Sequence, residues 1–290
     1  MLTLRLSQVG WYDQSEDDAS DVSDSNTPCI FLAITPAWSN RNLHRLADKV
    51  RSQLIFAHVR AATQAPLSEE NCHPWSYGSL LWMHNGLIGG WSRKKRHLQA
   101  LLSDEFYNFP QGSTDSEWSF AIFLDQLAKR ADPRATHFEP NVLQGALLAT
   151  IETINSVETA DEPAEPSLLN FCVSDGRSIV ASRYVSSRHQ AAASLFFSTG
   201  SAFEADDSCG YRFRMSRDCK REAVVMIASE PLTFERTDWR EVRNNSLIVV
   251  TPRNNVLQIP VVDRFQDSPT ATRGDDYAAS KGFKASRQTA

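Results

Sequence analysis

Three short polar motifs interrupt apolar runs between His58 and Glu117: 'HVRAAT', 'MHNGLI' and 'GSTDSE'. In the first, Arg60 lies within a strand-like apolar run, where an unpaired guanidinium would be very costly, so it needs an anionic partner. The second holds an Asn-Gly pair, which is common in turns. The third places Asp115 where a helix begins, and a carboxylate is a common helix cap there. Taken one by one, the three motifs indicate no particular chemistry.

Several histidines and cysteines lie in the same region, but their spacing does not fit a metal site. His58, His73, His84 and Cys72 form no pair four residues apart on a helix and no cluster typical of zinc ligands. They are better explained as hydrogen-bonded groups in the protein interior. The chain also lacks the G-x-S-x-G elbow of serine hydrolases and any glycine-rich phosphate loop. We therefore predict no metal and no cofactor.

The overall composition narrows the class of protein. The chain has 290 residues, 41% of them hydrophobic, with seven Trp, which is ample for a packed core. Its net charge of -5 argues against nucleic acid or an anionic membrane as partner. We find no apolar run long enough to span a membrane and no signal-peptide pattern. The five cysteines include no CxxC pair, so the sequence favours a reduced, cytoplasmic protein.

The elements that would position the motifs follow in the order strands, helices, strands. 'QLIFAHVRAA' and 'SLLWMHNGLI' are predicted to be central strands covered on both faces. Helices are predicted in 'NRNLHRLADKV', from Trp91 to before Ser103, in 'STDSEWSFAIFLDQLAKR' with Ser113 or Thr114 as cap, and in 'VLQGALLATIETINSV'. From Ser167 the pattern is typical of strands, with a hairpin turn at Asp175-Gly176. This order favours a layered α+β fold with two sheets and outer helices.

Two segments are predicted to lie outside that packed structure. Residues 13–28 are acidic and Ser-rich, so they are expected to form a solvated loop between two strands. Residues 264–290 are rich in Ser, Thr and Ala and are expected to form a disordered polar tail.

In order along the chain, 'HVRAAT', 'NCHPW', 'MHNGLI' and 'GSTDSE' resemble the class II glutamine amidotransferase domain, an N-terminal-nucleophile (Ntn) hydrolase. 'SLLNFCVSDG', 'STGSAF' and 'ASEPLTFE' extend the likeness over most of the chain. The resemblance implies an αββα four-layer sandwich with two mainly antiparallel sheets over residues 1–263, lacking the first strand or strands. 'CHPW', 'GSTDSE' and 'ASEPLTFE' are most similar to the fungal subunits that hydrolyse the γ-glutamyl bond of glutathione alongside a metallopeptidase-like partner.

The resemblance implies a role for each motif in binding a γ-glutamyl compound. Arg60 would bind the α-carboxylate of the substrate with its planar fork, and Thr63 would be an additional donor. Asp115 would hold the α-ammonium group. The side chain of Asn85 and the backbone N–H of Gly86 would form the oxyanion hole, where Gly86 allows close approach of the backbone.

The resemblance does not extend to the nucleophile. The family has a cysteine at position 2 whose own α-amine activates the thiol, whereas this chain begins 'MLTLRLSQVGWYDQ' with Leu2. 'VGWYD' resembles the end of a later family strand, so the nucleophile segment is expected to be missing. None of the five cysteines combines a thiol with an α-amine, and the chain as written is expected to be inactive. His73 and His84 are expected to be structural supports.

Three functions remain open at this point. The first is hydrolysis of the γ-glutamyl amide bond of glutathione or a related compound, as the amidotransferase subunit of a complex. The second is a non-catalytic or regulatory subunit that binds a γ-glutamyl ligand or a partner without turnover. The third is a glutaminase domain that supplies ammonia to a synthase, although no synthase domain follows in this chain.

Overall fold

A computed structural model describes residues 5–13, 26–61, 68–157, 165–206, 212–217, 223–233, 235–266 and 273–284. The helices in these ranges are α1 (Arg41–Lys49), α2 (Trp91–Ala100), α3 (Asp104–Tyr107), α4 (Asp115–Ala128), α5 (Pro140–Ser156) and α6 (Asp276–Ser280). The strands are β1 (Arg5–Trp11), β2 (Cys29–Ala33), β3 (Ile55–Ala61), β4 (Trp75–Tyr77), β5 (Leu80–Leu87), β6 (Leu168–Ser174), β7 (Ile179–Arg183), β8 (Phe196–Gly200), β9 (Ala202–Asp206), β10 (Arg212–Ser216), β11 (Val224–Ala228), β12 (Arg240–Glu241), β13 (Ser246–Val250) and β14 (Val256–Pro260). Most of the predicted acidic loop at residues 13–28 lies outside the described residues.

The described strands form four sheets. Their strand orders are β2-β1-β3, β10-β9, β11-β8-β12 and β14-β13-β7-β6-β5-β4. Every pairing with a described register is antiparallel. The predicted α+β class with mainly antiparallel sheets is therefore confirmed. Of the helices in the described ranges, none combines the length and the apolar character needed to cross a bilayer.

The chain divides into two compact units. Unit 1 contains residues 1–84, 91–162 and 172–179, and unit 2 contains residues 85–90, 163–171 and 180–290. The first part of β5 therefore belongs to unit 1, and its end, with Asn85 and Gly86, belongs to unit 2. Each unit has its own buried residues.

The core of unit 1 is built around α4. Trp82 of β5 stacks on Phe120 of this helix with 5.5 Å between ring centroids, and it packs against Phe123 at 5.1 Å. Leu80 and Leu81, the two residues before Trp82, are also completely buried. Because successive strand residues face opposite sides, this part of β5 is covered on both faces, as predicted.

β3 differs from the prediction that both of its faces are covered. It lies at one end of the order β2-β1-β3, and Ile55 and Val59 on one of its faces are 55% and 57% exposed. Phe56, which points to the other face, is buried with Tyr12 and Leu81. The apolar pattern of β3 correctly indicated a strand, but a run of apolar residues does not show how many faces its neighbours cover.

In unit 2, part of the predicted disordered tail is folded. Residues 273–284 contain α6, and Ala278 of this helix is completely buried in a cluster with Leu168, Val185 and Ala192. The hydroxyl of Tyr277 donates a hydrogen bond to the carbonyl of Pro166 at 2.7 Å. The expectation of disorder over residues 264–290 is thus wrong for this segment, because a few apolar residues in a polar stretch find a long-range partner.

Candidate functional site

The start of α4 is held by a network of capping contacts in unit 1. The N-cap residue is Thr114, as predicted, and its side chain accepts a hydrogen bond from the backbone N–H of Glu117 at 3.3 Å. The Glu117 carboxylate accepts hydrogen bonds from the N–H groups of Gln111 at 2.8 Å and Gly112 at 2.7 Å. Backbone donors in the loop and at the helix start are thereby satisfied, so Asp115, the first residue of α4, has a well-defined position.

Gly112 allows this loop to pack closely. A Cβ atom at this position would lie 2.6 Å from Oδ1 of Asn71 and 2.7 Å from Oε2 of Glu117, closer than real Cβ contacts. Asn71 Oδ1 also accepts a hydrogen bond from the N–H of Ser113 at 3.4 Å. The loop before Asp115 is therefore held by Asn71 and Glu117, two residues that were not predicted from the sequence.

We predict that Glu117→Gln destabilises the protein by about 1–3 kcal/mol at neutral pH, because a carboxamide cannot accept from both N–H groups without turning its own donors toward one of them. Burial raises the pKa of Glu117, and the two N–H groups partly oppose this rise. Because its pKa is higher in the folded protein than in the unfolded chain, Glu117 binds its proton more tightly in the folded protein. As the pH falls through the range between these two pKa values, protonation of Glu117 therefore stabilises the fold. The loss caused by Glu117→Gln should therefore be larger at about pH 5 than at pH 7.

Urea unfolding followed by Trp fluorescence at both pH values measures this effect. The matched control is Glu139→Gln, since Glu139 precedes α5 as an exposed N-cap without a side-chain capping bond. Equal losses in the two variants would contradict the assigned role of Glu117.

His84 connects the 'MHNGLI' motif to the start of α4. Its Nδ1 lies 2.9 Å from Oγ of Ser116, and the ring is only 2% exposed. Ser116 Oγ also donates a hydrogen bond to Oδ1 of Asp115 at 3.5 Å. Because Asn85 follows His84 directly in β5, this buried contact brings two of the three motifs together. A supporting role for His84 is compatible with this geometry and stays a prediction.

His73 lies in a second buried contact within unit 1. Its ring stacks on that of His58 with 4.1 Å between centroids, and the edge of Trp75 lies 4.2 Å away. Its backbone N–H donates a hydrogen bond to Oε1 of Gln8 at 3.0 Å. These contacts hold the 'CHPW' segment against β1 and β3. Within the described ranges, no three His, Cys, Asp or Glu side chains come together in a group that could hold a metal ion.

In unit 2, the segment that carries Asn85 and Gly86 is held at its far end. The N–H of Gly89 donates a hydrogen bond to Oγ of Ser167 at 3.0 Å. The backbone then turns at Gly90, whose φ of +68° is in the left-handed region that favours glycine. Gly89 and Ser167 were not predicted as functional residues, although the Gly-Gly pair after 'HNGLI' is a turn signal that could have indicated this anchor.

The structure does not bring all the predicted site residues together. Arg60 lies in β3, with its backbone in register opposite Leu6 of β1. Its side chain and the whole of Thr63 lie outside the described residues. Asp115 belongs to unit 1, whereas Asn85 and Gly86 belong to unit 2. The convergence of these residues on one cleft therefore stays a prediction.

The described cysteines differ in their suitability as nucleophiles. Burial raises the pKa of the Cys172 thiol to about 12, so almost none of it is thiolate at neutral pH. Cys72 is buried, and its Sγ donates to the carbonyl of Ser68 at 3.4 Å. Cys29 is exposed, while Cys209 and Cys219 lie outside the described residues. Neither buried thiol has the environment of an activated nucleophile.

Comparison with known proteins gives concordant results. Residues 8–273 match the family model of class-II glutamine amidotransferases. The chain is 46% identical over 267 residues to "Probable glutamine amidotransferase DUG3" of Saccharomyces cerevisiae, covering 89% of this chain and 74% of that protein. It is also 28% identical over 138 residues to an uncharacterized protein of Methanocaldococcus jannaschii, covering 44% and 36% of the two chains.

Solved structures show the same relationship. A glutamine aminotransferase class-II domain protein from Silicibacter pomeroyi superposes with a TM-score of 0.56 at 25% identity, covering 89% of this chain and 92% of that one. The glutamine phosphoribosylpyrophosphate amidotransferase of B. subtilis superposes with a TM-score of 0.51 at 16% identity, covering 90% and 43% of the two chains. The second similarity is evidence for the fold alone.

Proposed function

Because the chain belongs to the class-II glutamine amidotransferase family, we propose that it acts on the γ-glutamyl amide bond of glutathione or a related γ-glutamyl compound. The observation that supports this best is the buried contact from His84 through Ser116 to Asp115. This contact links His84, which precedes the proposed oxyanion donors, to Ser116, which follows the residue proposed to bind the α-ammonium group. The 46% identity to a probable glutamine amidotransferase supports the same class of reaction.

The proposed chemistry needs one group for each end of the substrate. Arg60 and Thr63 bind the α-carboxylate, and Asp115 neutralises the α-ammonium. When a nucleophile attacks the γ-carbonyl carbon, negative charge develops on the carbonyl oxygen. Collapse of this intermediate restores the carbonyl and breaks the amide C–N bond, and the amine leaves with the proton that the nucleophile gave up. The side-chain amide of Asn85 and the backbone N–H of Gly86 donate hydrogen bonds to that oxygen and so lower the barrier. We do not assign the nucleophile to any of the five cysteines.

A metallopeptidase-like partner subunit and a cytoplasmic location are part of the same proposal. The partner rests on the resemblance of 'CHPW', 'GSTDSE' and 'ASEPLTFE' to the fungal glutathione-degrading subunits, and the location rests on the five cysteines, which include no CxxC pair. A second candidate is a non-catalytic subunit that binds the γ-glutamyl compound without turnover. A glutaminase that supplies ammonia is the third candidate, and it differs from the others in preferring glutamine.

Calorimetric titration with a series of related ligands tests the proposal on the protein as it is. Glutathione should bind, whereas its glutamyl α-methyl ester and its N-acetyl derivative should each bind at least about 30-fold more weakly, since each lacks one charge that Arg60 or Asp115 is proposed to pair with. Equal binding of all three compounds would contradict the assignment of Arg60 and Asp115. Stronger binding of glutamine than of glutathione would favour the ammonia-supplying glutaminase.

Glutamate release measured on the same samples separates the two remaining candidates. Release from glutathione supports the hydrolase. Binding without release supports the non-catalytic subunit.

A further inference from the structure

The helix α6 contacts the segment that leads into β6. The hydroxyl of Tyr277 in α6 donates a hydrogen bond to the carbonyl of Pro166 at 2.7 Å. Lys281, the C-cap residue of the same helix, places its Nζ 3.5 Å from Oε1 of Glu165. Two residues of the α6 region thus hold two consecutive residues of this segment.

Glu165 and Pro166 in turn lie against the turn that follows the proposed oxyanion donors. Oε2 of Glu165 accepts a hydrogen bond from the N–H of Gly90 at 3.3 Å. A Cβ atom at Gly89 would lie 2.0 Å from the carbonyl oxygen of Glu165, so the two backbones touch. The carboxylate of Glu165 therefore links Lys281 on one side to Gly90 on the other. These residues and the proposed oxyanion donors all belong to unit 2.

α6 is itself attached to unit 2 at its middle and on both flanks. Ala278, within the helix, is completely buried. Before the helix, the carbonyl of Gly274 accepts a backbone hydrogen bond from Ala191 at 2.8 Å, and after it the carbonyl of Lys284 accepts one from Ser194 at 2.8 Å. A helix fixed in this way can hold the residues that it contacts.

The hydroxyl of Tyr277 adds a directional contact to the apolar packing of α6. Apolar burial is non-directional, whereas a hydrogen bond fixes the distance between two atoms. Burial and, to a smaller extent, the charge of Glu165 raise the pKa of Tyr277 to about 12. The hydroxyl therefore keeps its proton and donates to Pro166 at neutral pH.

We propose that Tyr277 is a positioning residue for the oxyanion donors. Its hydrogen bond holds residues 165–166 against residues 89–90, and the short segment before them then keeps Asn85 and Gly86 in place. This role rests on the proposed function, because it belongs to the same site. Donors that are fixed in advance stabilise developing charge without reorganising, so a small displacement of them weakens their hydrogen bonds to the substrate.

Amide hydrogen–deuterium exchange, measured by mass spectrometry, tests the contact without a ligand. Tyr277→Phe keeps the ring and removes the hydroxyl, and it should increase exchange in the peptide spanning residues 85–90 about fivefold, the effect of losing one hydrogen bond on local opening. The matched control is Tyr77→Phe, since the Tyr77 hydroxyl in unit 1 also donates a hydrogen bond of 2.7 Å, to Glu105. Unchanged exchange at residues 85–90, or the same increase in the control, would overturn the proposal.

Ligand-observed NMR titration shows whether the held segment serves the oxyanion donors. L-Norvaline has the α-carboxylate and the α-ammonium of the glutamyl end of glutathione but no γ-carbonyl oxygen. Tyr277→Phe should weaken glutathione binding about three- to tenfold and leave norvaline binding unchanged. An equal loss for both compounds would show that Tyr277 acts on stability alone, and would overturn its positioning role.

Failure of the γ-glutamyl function itself gives a different result. If the wild type bound neither compound, that function would be contradicted, and the positioning role of Tyr277 with it. If only the Tyr277 assignment failed, binding of both compounds by the wild type would remain.

Discussion

Asp115→Asn is expected to weaken the binding of γ-glutamyl compounds by about 30- to 1000-fold, which corresponds to about 2–4 kcal/mol. Asn has nearly the same shape as Asp but cannot neutralise an α-ammonium group. The helix start should survive the change, because Thr114 provides the cap and the bond from Ser119 Oγ goes to the backbone carbonyl of residue 115. Calorimetric titration with glutathione measures the loss.

A second ligand shows whether Asp115 acts on the ammonium group itself. N-acetyl glutathione lacks that charge, so Asp115→Asn should weaken its binding much less than that of glutathione, as in a double-mutant cycle. The matched control is Asp104→Asn, which removes an exposed carboxylate from the first position of α3. If Asp115→Asn kept full affinity for glutathione, or if Asp104→Asn lost as much affinity, Asp115 would not bind the ammonium group and would only begin α4.

The second large effect is expected for Gly89→Ala, which should destabilise the protein by about 3 kcal/mol or more. A Cβ atom at Gly89 would lie 2.0 Å from the carbonyl oxygen of Glu165 and 2.7 Å from backbone carbon atoms of Glu165 and Pro166. Backbone cannot rotate away as a side chain can, so the two segments of unit 2 must separate. The bond from the Gly89 N–H to Ser167 would then be lost. Urea unfolding measures the loss of stability.

Gly145→Ala is the matched control for this change. Gly145 lies inside α5, where an added Cβ would approach only the flexible side chain of Arg130, at 3.3 Å from Nε. Alanine is favoured over glycine in a helix by about 1 kcal/mol, so this variant should keep or gain stability. A Gly89→Ala protein as stable as the wild type would mean that the segment after Asn85 and Gly86 is not held against Glu165 and Pro166.

Features that depend on neighbouring residues in the chain could be predicted well. The cap of α4 at Thr114 was one of two predicted positions, because capping needs only a side-chain oxygen and an N–H three residues later. The turn at Asp175-Gly176 is present between β6 and β7, with φ of +85° at Gly176. The order of the polar motifs was also sufficient to indicate the class-II glutamine amidotransferase family, which the family match confirms.

Features that depend on distant residues could not be predicted in the same way. Ile55 and Val59 form an apolar pattern that is typical of a covered strand, but β3 lies at one end of its three-stranded sheet and exposes them. Tyr277 and Ala278 lie in a stretch whose composition suggested disorder, but they find partners more than eighty residues away in the chain. Composition describes what a segment can bury, and only the rest of the fold decides whether it does.

For the candidate site, the sequence by itself determined which residue types are available: Arg60, Thr63, Asp115, and the Asn85 and Gly86 pair. It did not determine what holds them. The contact of His84 with Ser116 joins residues from separate segments, and the close approach at Gly89 joins two others. Such contacts depend on distances that arise only when strands and helices pack. A residue's chemistry is a local property, whereas its position is the result of the whole fold.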